Sequence, residues 1–594
     1  MAQAEFSTSS RPHCVAMATA PEAEQTEQTR PLTGASDGEP ESDAAARLGR
    51  RRLALRAAVL GAAALAAVTL ARGTSSAPAL RGPARPSASL GLSAEAGAKA
   101  CKKVYIDTDV GIDDNIALAS AFGQHRQGNI CIIGIGVTDG NIPGWISHNT
   151  FPRLLALFDM ADLPFSTPAV PEGKSGDMSK LYNDTEGKYQ PPGGRGSAEH
   201  IHGKDGMGGL GEFMRLDPKL SFPSRDKDGD PAAFLEQRLK RECGAKDCDL
   251  LVLGPLTNIV AAKKDILAKH VNRTIWMGGS FVQPEKLSQK QVKGIDFVPI
   301  NKGDWNVGLR RRGNIAPLSE FNAWAGSKPL ATFLTERDAS VGFDIIPLDV
   351  TSKLMWSPAL TDVFEQAAGA ADSKAWDSKK FRDHLMKFRA KHPGVTKENN
   401  HALANEILAA FDTELAARRK SNFSYPSTRS GRAAFIRDIS VKGWASTVAD
   451  GQIPADAVAN LAHDVAVIAY ELNGDLFDAG SVENVSVVVR GTATGKLWKK
   501  LDKDNLVETQ FKNKQWGVEG APIKSDLKGA VFEPSEPSDA ALTKDLAKEG
   551  ISRHLEIKTG KARVVEFAQF PGEPNKAVSH VMDWLANALA QATK

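Results

Sequence analysis

The sequence predicts an α/β fold in which a mainly parallel sheet is covered by helices on both faces. Its apolar runs of strand length are continuous rather than alternating, which is typical of strands that are buried on both sides. Helix-like segments stand between several of these runs, as expected for parallel strands. With 42% hydrophobic and 24% charged residues among 594, most of the chain can bury a core.

The predicted elements begin at Cys101. Residues 103–107 form a β-rich apolar run that ends in an acid, and residues 113–124 have helical spacing, with Ile116, Ala119 and Phe122 on one face. Residues 145–160 are again helix-like. Further strands are expected at 130–137, 249–253, 274–277 and 343–348. Ligands of such sheets bind beyond the carboxyl ends of the strands, so the polar residues at those ends are the first candidates for a site.

The first hundred residues do not have the pattern of a domain. Residues 1–46 hold eight acidic residues and two arginines and cannot bury enough apolar area to fold, which predicts a disordered acidic tail. An arginine-rich block then precedes an uncharged apolar run, so residues 47–72 are interpreted as a signal anchor or a late signal sequence. Residues 73–100 are a linker rich in Ser, Pro, Gly and Ala.

This leader predicts membrane association through residues 53–72, with the C-terminal part lumenal or extracellular. An organelle-targeting leader and an Ala-rich soluble helix remain alternatives. If the C-terminal part is lumenal, Asn183, Asn272, Asn422 and Asn484 each begin an Asn-x-Ser/Thr glycosylation motif, and Asn272 is the least plausible because it borders a predicted buried strand.

Charge and cysteine content exclude some classes of protein. The 74 Lys and Arg residues nearly balance the 71 Asp and Glu residues, so a general basic surface for nucleic acid is not indicated. The five cysteines form no Cys-x-x-Cys pair, which argues against a zinc ribbon or a thioredoxin-like site. Cys243 and Cys248 are close enough in sequence to bridge, or they are two unrelated thiols.

An acidic cluster directly after the first strand carries most of the chemical information. Asp107, Asp109, Asp113 and Asp114 fall within eight residues, and such like charges repel unless a cation compensates them. Calcium or magnesium, which prefer oxygen ligands, are the natural partners. Helix capping by Asp113 or Asp114 explains only those two. The spacing does not fit an EF-hand, and an Asp-x-Asp phosphatase remains a lesser alternative.

Asp107-Thr-Asp-Val-Gly-Ile-Asp-Asp114 and the apolar helix after it resemble the signature of the inosine–uridine-preferring nucleoside hydrolase family. More segments that resemble the family follow in family order between residues 101 and 490. They are Gly140-Asn141, residues 202–209, 253–258 and 277–279, Gly313-Asn314, residues 319–322 and 347–351, and His463-Asp464. Residues 562–567 and 577–589 look like the closing strand and helix.

The resemblance implies a Rossmann-like fold, a tightly bound Ca²⁺ and calcium-dependent hydrolysis of the N-glycosidic bond of ribonucleosides, giving ribose and free nucleobase. The implied calcium ligands are Asp109, Asp114 and Asp464 through their side chains and Leu253 through its carbonyl, with Asp107 supporting them. The implied ribose-binding residues are Asp113, Asn141, Met277, Asn314, Glu320 and Asn322. Asp109 would also be the base that activates water, and His463 would assist the departing nucleobase.

Some positions depart from the family pattern. Val110 and Val465 stand where proline is usual, and Gly326-Ser327 replaces a usual Asp-Pro, although no implied ligand is lost. Residues 281–312 and 370–450 are interpreted as insertions in a single domain over residues 101–594. A nucleoside- or ribose-binding protein without turnover is the alternative function, and a homo-oligomer is left open.

Overall fold

The computed structural model describes residues 101–172, 198–226, 228–280, 320–356, 397–449, 460–490, 492–493, 516–517, 522–524, 556–573 and 575–594. The acidic tail, the leader and the linker of residues 1–100 lie outside this part of the chain. So do the first predicted insertion, residues 281–312, and Asn314.

A nine-stranded sheet dominates the fold, and its strand order is β13-β10-β14-β6-β5-β4-β1-β2-β3. From β3 to β14 all neighbours are parallel, whereas β10 pairs antiparallel with β14 and β13, so the predicted mainly parallel sheet is confirmed. The strands are β1 (Lys102–Thr108), β2 (Ile130–Val137), β3 (Phe165–Ser166), β4 (Cys248–Val252), β5 (Val271–Met277), β6 (Gly342–Ile346), β7 (Met355–Trp356), β8 (Asn460–Leu461), β9 (Phe477–Asp478), β10 (Glu483–Arg490), β11 (Thr492–Ala493), β12 (Trp516–Gly517), β13 (Pro522–Lys524), β14 (Glu556–Val564) and β15 (Glu566–Phe567).

Helices connect the parallel strands and cover both faces of the sheet. They are α1 (Ile112–Arg126), α2 (Ser147–Leu157), α3 (Glu199–His202), α4 (Pro231–Glu242), α5 (Thr257–Ala261), α6 (Lys264–His270), α7 (Phe321–Ala325), α8 (Ser327–Glu336), α9 (Leu348–Thr351), α10 (Lys397–Lys420), α11 (Arg429–Ala449), α12 (Val465–Leu472) and α13 (Lys576–Ala592). One apolar core includes Ile106 of β1 and Val467 of α12, and the other includes Tyr105 of β1 and Leu235 of α4. Alternate residues of β1 thus enter opposite cores, which explains its continuous apolar run.

The central strand β1 lies between β2 and β4, and its register positions the acidic cluster. Asp107 is level with Gly136 of β2 and Val252 of β4, at the carboxyl ends of all three strands. A Cβ atom on Gly136 would lie 2.9 Å from Asp107 Oδ2, so glycine at this position leaves room for the buried carboxylate.

The second predicted insertion has a polar composition, but part of it packs in the apolar core. Helices α10 and α11 lie within it, and Phe435 and Ile439 of α11 are fully buried. The buried Asp438 accepts hydrogen bonds from the Arg418 guanidinium at 2.7 Å and the Tyr425 hydroxyl at 2.6 Å. Arg418, Arg437 and Asp438 of this segment therefore pair with each other inside the protein.

Two disulfides join the four cysteines in the described residues. Cys101 and Cys131 link the beginnings of β1 and β2, with Cα atoms 5.5 Å apart. Cys243 and Cys248 bridge the connection from α4 to β4, with Cα atoms 5.9 Å apart, which settles the alternative left open by the sequence. Across the part of the chain that the structure describes, no helix combines the length and apolar content needed to cross a bilayer.

Candidate active site

The loop from β1 to α1 forms one wall of the candidate site. Asp114 lies in the first turn of α1, where its Oδ2 accepts the Gly111 N–H at 2.7 Å and its Oδ1 accepts the Thr108 hydroxyl at 2.5 Å. The Asp114 side chain therefore caps the beginning of α1 and also belongs to the acidic cluster. Val110 has φ +55°, a left-handed conformation that is a strained outlier for a β-branched residue.

Asp109 is fixed by Asn141, which follows β2. Asp109 Oδ2 accepts the Asn141 backbone N–H at 2.8 Å, and Oδ1 accepts its side-chain Nδ2 at 3.1 Å. The same Nδ2 lies 3.2 Å from Asp114 Oδ2, so Asn141 joins two carboxylates. Gly140 makes this contact possible, because a Cβ atom on it would lie 2.0 Å from Asp109 Oδ2.

Asp464 reaches the cluster from a distant part of the chain, as the residue before α12. Its burial raises its pKa well above the ordinary value, and the charges of Asp114, Asp113 and Asp109 raise it further. Asp113, Asp114 and Asp464 each offer one carboxylate oxygen within 4.8 Å of the others, a spacing that suits a shared cation. The structure thus brings Asp464 to the acidic cluster, but this group of three carboxylates contains Asp113 and not the predicted ligand Asp109.

The electrostatics of the cluster favour a divalent cation. Burial is the main cause that raises the pKa of both Asp107 and Asp113 to about 8, and Asp114 raises both further. Asp107 Oδ1 and Asp113 Oδ1 are buried without a hydrogen-bond partner. The ionised form of these carboxyl groups is costly because it is buried, crowded and short of hydrogen-bond donors. A calcium or magnesium ion, which prefers oxygen ligands, would compensate their charge, so the residues fit such an ion.

The predicted carbonyl ligand, Leu253, lies directly beside the cluster. Its backbone N–H donates to the Asp107 carbonyl at 2.8 Å. Its own carbonyl oxygen accepts a hydrogen bond from Asn322 Nδ2 at 2.6 Å. A carbonyl oxygen has two lone pairs, so this contact does not prevent it from also binding a cation.

Glu320 and Asn322 lie near the cluster, at the beginning of α7. Glu320 accepts backbone N–H groups from Gly279 at 2.9 Å, Asn322 at 2.9 Å and Ala323 at 3.0 Å, and its burial raises its pKa to about 7. Asn322 Nδ2 also donates to the Met277 carbonyl at 3.1 Å. These predicted ribose-binding residues therefore also tie α7 to the ends of β4 and β5.

Two histidines approach the cluster. His463 Nδ1 lies 2.8 Å from Thr351 Oγ1, and burial lowers its pKa to about 4, so the imidazole is uncharged at neutral pH. His202 Nδ1 accepts the Ile112 N–H at 2.9 Å and lies 3.9 Å from Asp113 Oδ1. The glycine-rich loop that follows His202 thus reaches the site.

Three supporting residues were not identified from the sequence. Thr108 and Thr351 bind Asp114 and His463, and Asn258 Nδ2 donates to Asp107 Oδ2 at 2.9 Å. Asn258 lies in a segment that resembles the family, but its sequence position does not tell which carboxylate its side chain contacts. That contact depends on the register of the strands.

The chain is similar in sequence to known proteins. Residues 104–518 match the model of the protein family described as inosine-uridine preferring nucleoside hydrolase. Uridine nucleosidase 1 of Arabidopsis thaliana is 32% identical over 187 residues, which cover 30% of this chain and 46% of that protein. Probable uridine nucleosidase 2 of Oryza sativa subsp. japonica is 33% identical over 188 residues, with the same coverage. The chain therefore spans about half the length of these curated relatives.

The chain is also similar to solved structures. A purine-preferring ribonucleoside hydrolase from Gardnerella vaginalis superposes with a TM-score of 0.43 at 14% identity, covering 83% of this chain and 99% of that one. A plant nucleoside hydrolase gives a TM-score of 0.41 at 16% identity, covering 82% and 99%.

Proposed function

Since this chain belongs to the inosine-uridine preferring nucleoside hydrolase family, we propose that it hydrolyses the N-glycosidic bond of ribonucleosides to ribose and free nucleobase. The observation that carries the proposal is the convergence of Asp109, Asp113, Asp114 and Asp464 beside Glu320. Breaking the bond between sugar and base develops positive charge on the ribose, as in glycoside hydrolysis. Fixed carboxylates at that position stabilise the charge.

Calcium is the ion that we propose for the cluster. Asp109, Asp114, Asp464 and the Leu253 carbonyl would hold it, and this donor set, which contains only oxygen atoms, supports the choice. When bound, the ion would hold the attacking water and lower its pKa. Asp113 lies close enough to Asp114 and Asp464 to compete with Asp109 for the place of third carboxylate ligand.

Asp109 is the proposed general base. Both of its oxygens accept N–H groups of Asn141, which fix the plane of the carboxylate. Burial and the neighbouring carboxylates raise its pKa well above the ordinary value, toward the range in which a carboxylate accepts protons efficiently. Asp109 would take the proton of the water that attacks the ribose.

Asn141, Asn322 and Glu320 would bind the sugar hydroxyls. The side-chain nitrogens of Asn141 and Asn322 already donate within the protein, so their Oδ1 atoms are the ones that would accept hydroxyl protons. Because the site would be built around hydroxyls, a missing 2′-hydroxyl would leave buried polar groups unpaired. We therefore expect strong rejection of deoxyribonucleosides.

His463 would assist the departing nucleobase through its uncharged form. If the Thr351 hydroxyl donates to Nδ1, the ring proton is fixed on Nε2, and Nε2–H can then donate to the base. Thr351 is thus the residue that would select the tautomer.

For the whole chain we propose entry into the secretory pathway through residues 47–72. Two disulfides support this, because such bonds are rare in reducing compartments. Membrane association through residues 53–72 follows if the leader remains attached.

The test is an assay for free ribose from inosine, uridine, cytidine and adenosine, with and without a chelator. Asp109→Asn should abolish turnover while nucleoside still binds, and Asp228→Asn, on an exposed turn, is the matched control. Metal titration of Asp109→Asn and Asp113→Asn would identify the third carboxylate ligand. Nucleoside binding by the native protein without ribose release would indicate a binding protein, and phosphate release from phosphate esters would indicate a phosphatase.

A further inference from the structure

We propose that Asn422 carries an N-linked oligosaccharide. Asn422, Phe423 and Ser424 form an Asn-x-Ser motif in the turn between α10 and α11. Asn422 is exposed, and its φ of +54° is a conformation that asparagine tolerates better than most residues. A sugar attached here would extend into solvent from the outside of a helical hairpin.

The turn is held by backbone groups of Asn422 rather than by its side chain. Its N–H donates to the Arg419 carbonyl at 3.2 Å, and its own carbonyl accepts Arg215 Nη2 at 2.7 Å. No hydrogen bond of the Asn422 amide side chain occurs among the contacts of the described residues. Modification of Nδ2 would therefore leave the turn intact.

The other motifs in the described residues are less suitable. Asn272 Nδ2 donates to Asp249 Oδ1 at 2.9 Å, and its partner Thr274 is fully buried in β5. Asn484 is half-buried in β10, which has strand neighbours on both sides. Asn183 lies outside the described residues.

The disulfides indicate a compartment in which this modification takes place. All four cysteines of the described residues are paired, and one bridge joins residues 30 positions apart on neighbouring strands. Structural disulfides form in the endoplasmic reticulum, where oligosaccharide donors are also present. Glycosylation of Asn422 rests on the proposed entry into the secretory pathway and requires neither the acidic cluster nor the proposed hydrolysis.

The modification requires a lipid-linked oligosaccharide pyrophosphate as co-reactant. A bond forms between Asn422 Nδ2 and the anomeric carbon of the sugar, and the bond from that carbon to the pyrophosphate oxygen breaks. The lipid pyrophosphate leaves with the bonding electrons, and Nδ2 loses one proton to a base of the transferase.

The experiment is expression of the full chain, with its own leader, in eukaryotic cells. Peptide:N-glycosidase digestion in heavy-oxygen water converts a glycosylated asparagine to labelled aspartate, which peptide mass spectrometry locates. We expect the label at Asn422 and a loss of gel mobility shift in Asn422→Gly and Ser424→Ala. Asn422→Gly retains the left-handed backbone. Asn272→Gln is the matched control and should keep the shift.

An unlabelled Asn422 in native protein would overturn the proposal, whether the cysteines are oxidised or free. A label only at Asn183 or Asn484 would overturn it as well. Ribose release is measured on the same preparations. Active but unglycosylated protein would refute this inference alone, and glycosylated but inactive protein would refute only the proposed hydrolysis.

Discussion

Gly140→Ala is the sharpest test of the role of Asp109. The new Cβ atom would lie 2.0 Å from Asp109 Oδ2, whereas ordinary contacts begin at 3.4 Å, so the two atoms must separate by about 1.4 Å (3.4 minus 2.0). Asp109 would have to leave the Asn141 N–H that it now accepts at 2.8 Å. Because a misplacement of about 1 Å can cost roughly a hundredfold in rate, we expect kcat/KM for uridine to fall at least that far.

The matched control is Gly474→Ala, where a Cβ atom would meet nothing within 4 Å. Both variants are compared in ribose release and thermal unfolding, so that a loss of activity can be separated from a loss of folded protein. If folded Gly140→Ala retains the kcat/KM of the native protein for nucleoside hydrolysis, the position of Asp109 does not limit the proposed reaction.

Three further outcomes are expected. Metal-free protein should lose stability as the pH rises from about 4 toward 8. Burial raises the pKa of Asp107 and Asp113 to about 8, so these groups ionise more readily in the unfolded chain than in the folded protein. Urea unfolding measures this loss, and bound calcium should make stability less dependent on pH. Asp438→Asn should lower the free energy of unfolding by roughly 3 kcal/mol, since it removes the carboxylate that the buried Arg418 and Arg437 share; unchanged urea stability would contradict this. Deoxyuridine should be cleaved about 10⁴-fold more slowly than uridine when the release of uracil is measured, and equal rates would exclude recognition of the 2′-hydroxyl.

The sheet was predictable where its strands are purely apolar. The predicted strand at 130–137 agrees with β2 at both ends, because every residue of Ile130–Val137 is apolar. β5 begins three residues before the predicted strand, because Arg273 interrupts the apolar pattern. Arg273 donates to Glu471 at 2.8 Å and to Asp249 at 3.1 Å, and only the folded structure brings these acids together.

The candidate site was predictable from its acidic motif but not from its supporting contacts. Asp107, Asp109 and Asp114 lie in one short stretch, so their charges alone indicated a cation. The partner of Asp107, Asn258, is 151 positions away in sequence and is brought near by the pairing of β1 with β4. The Cys101–Cys131 bridge was missed for the same reason, since it depends on the register of β1 and β2.

Val110 limits how this protein can be engineered. Proline, the residue usual in the family at this position, has φ near −65° and lacks the N–H that Val110 donates to Thr108 Oγ1. Val110→Pro would therefore rotate the peptide bonds on either side of residue 110. One of these bonds leads to Asp109, and the other carries the Gly111 N–H that Asp114 accepts. Glycine would accept the left-handed backbone, but it would leave a cavity where the fully buried Val110 side chain packs in the core, so stabilising designs should keep valine here.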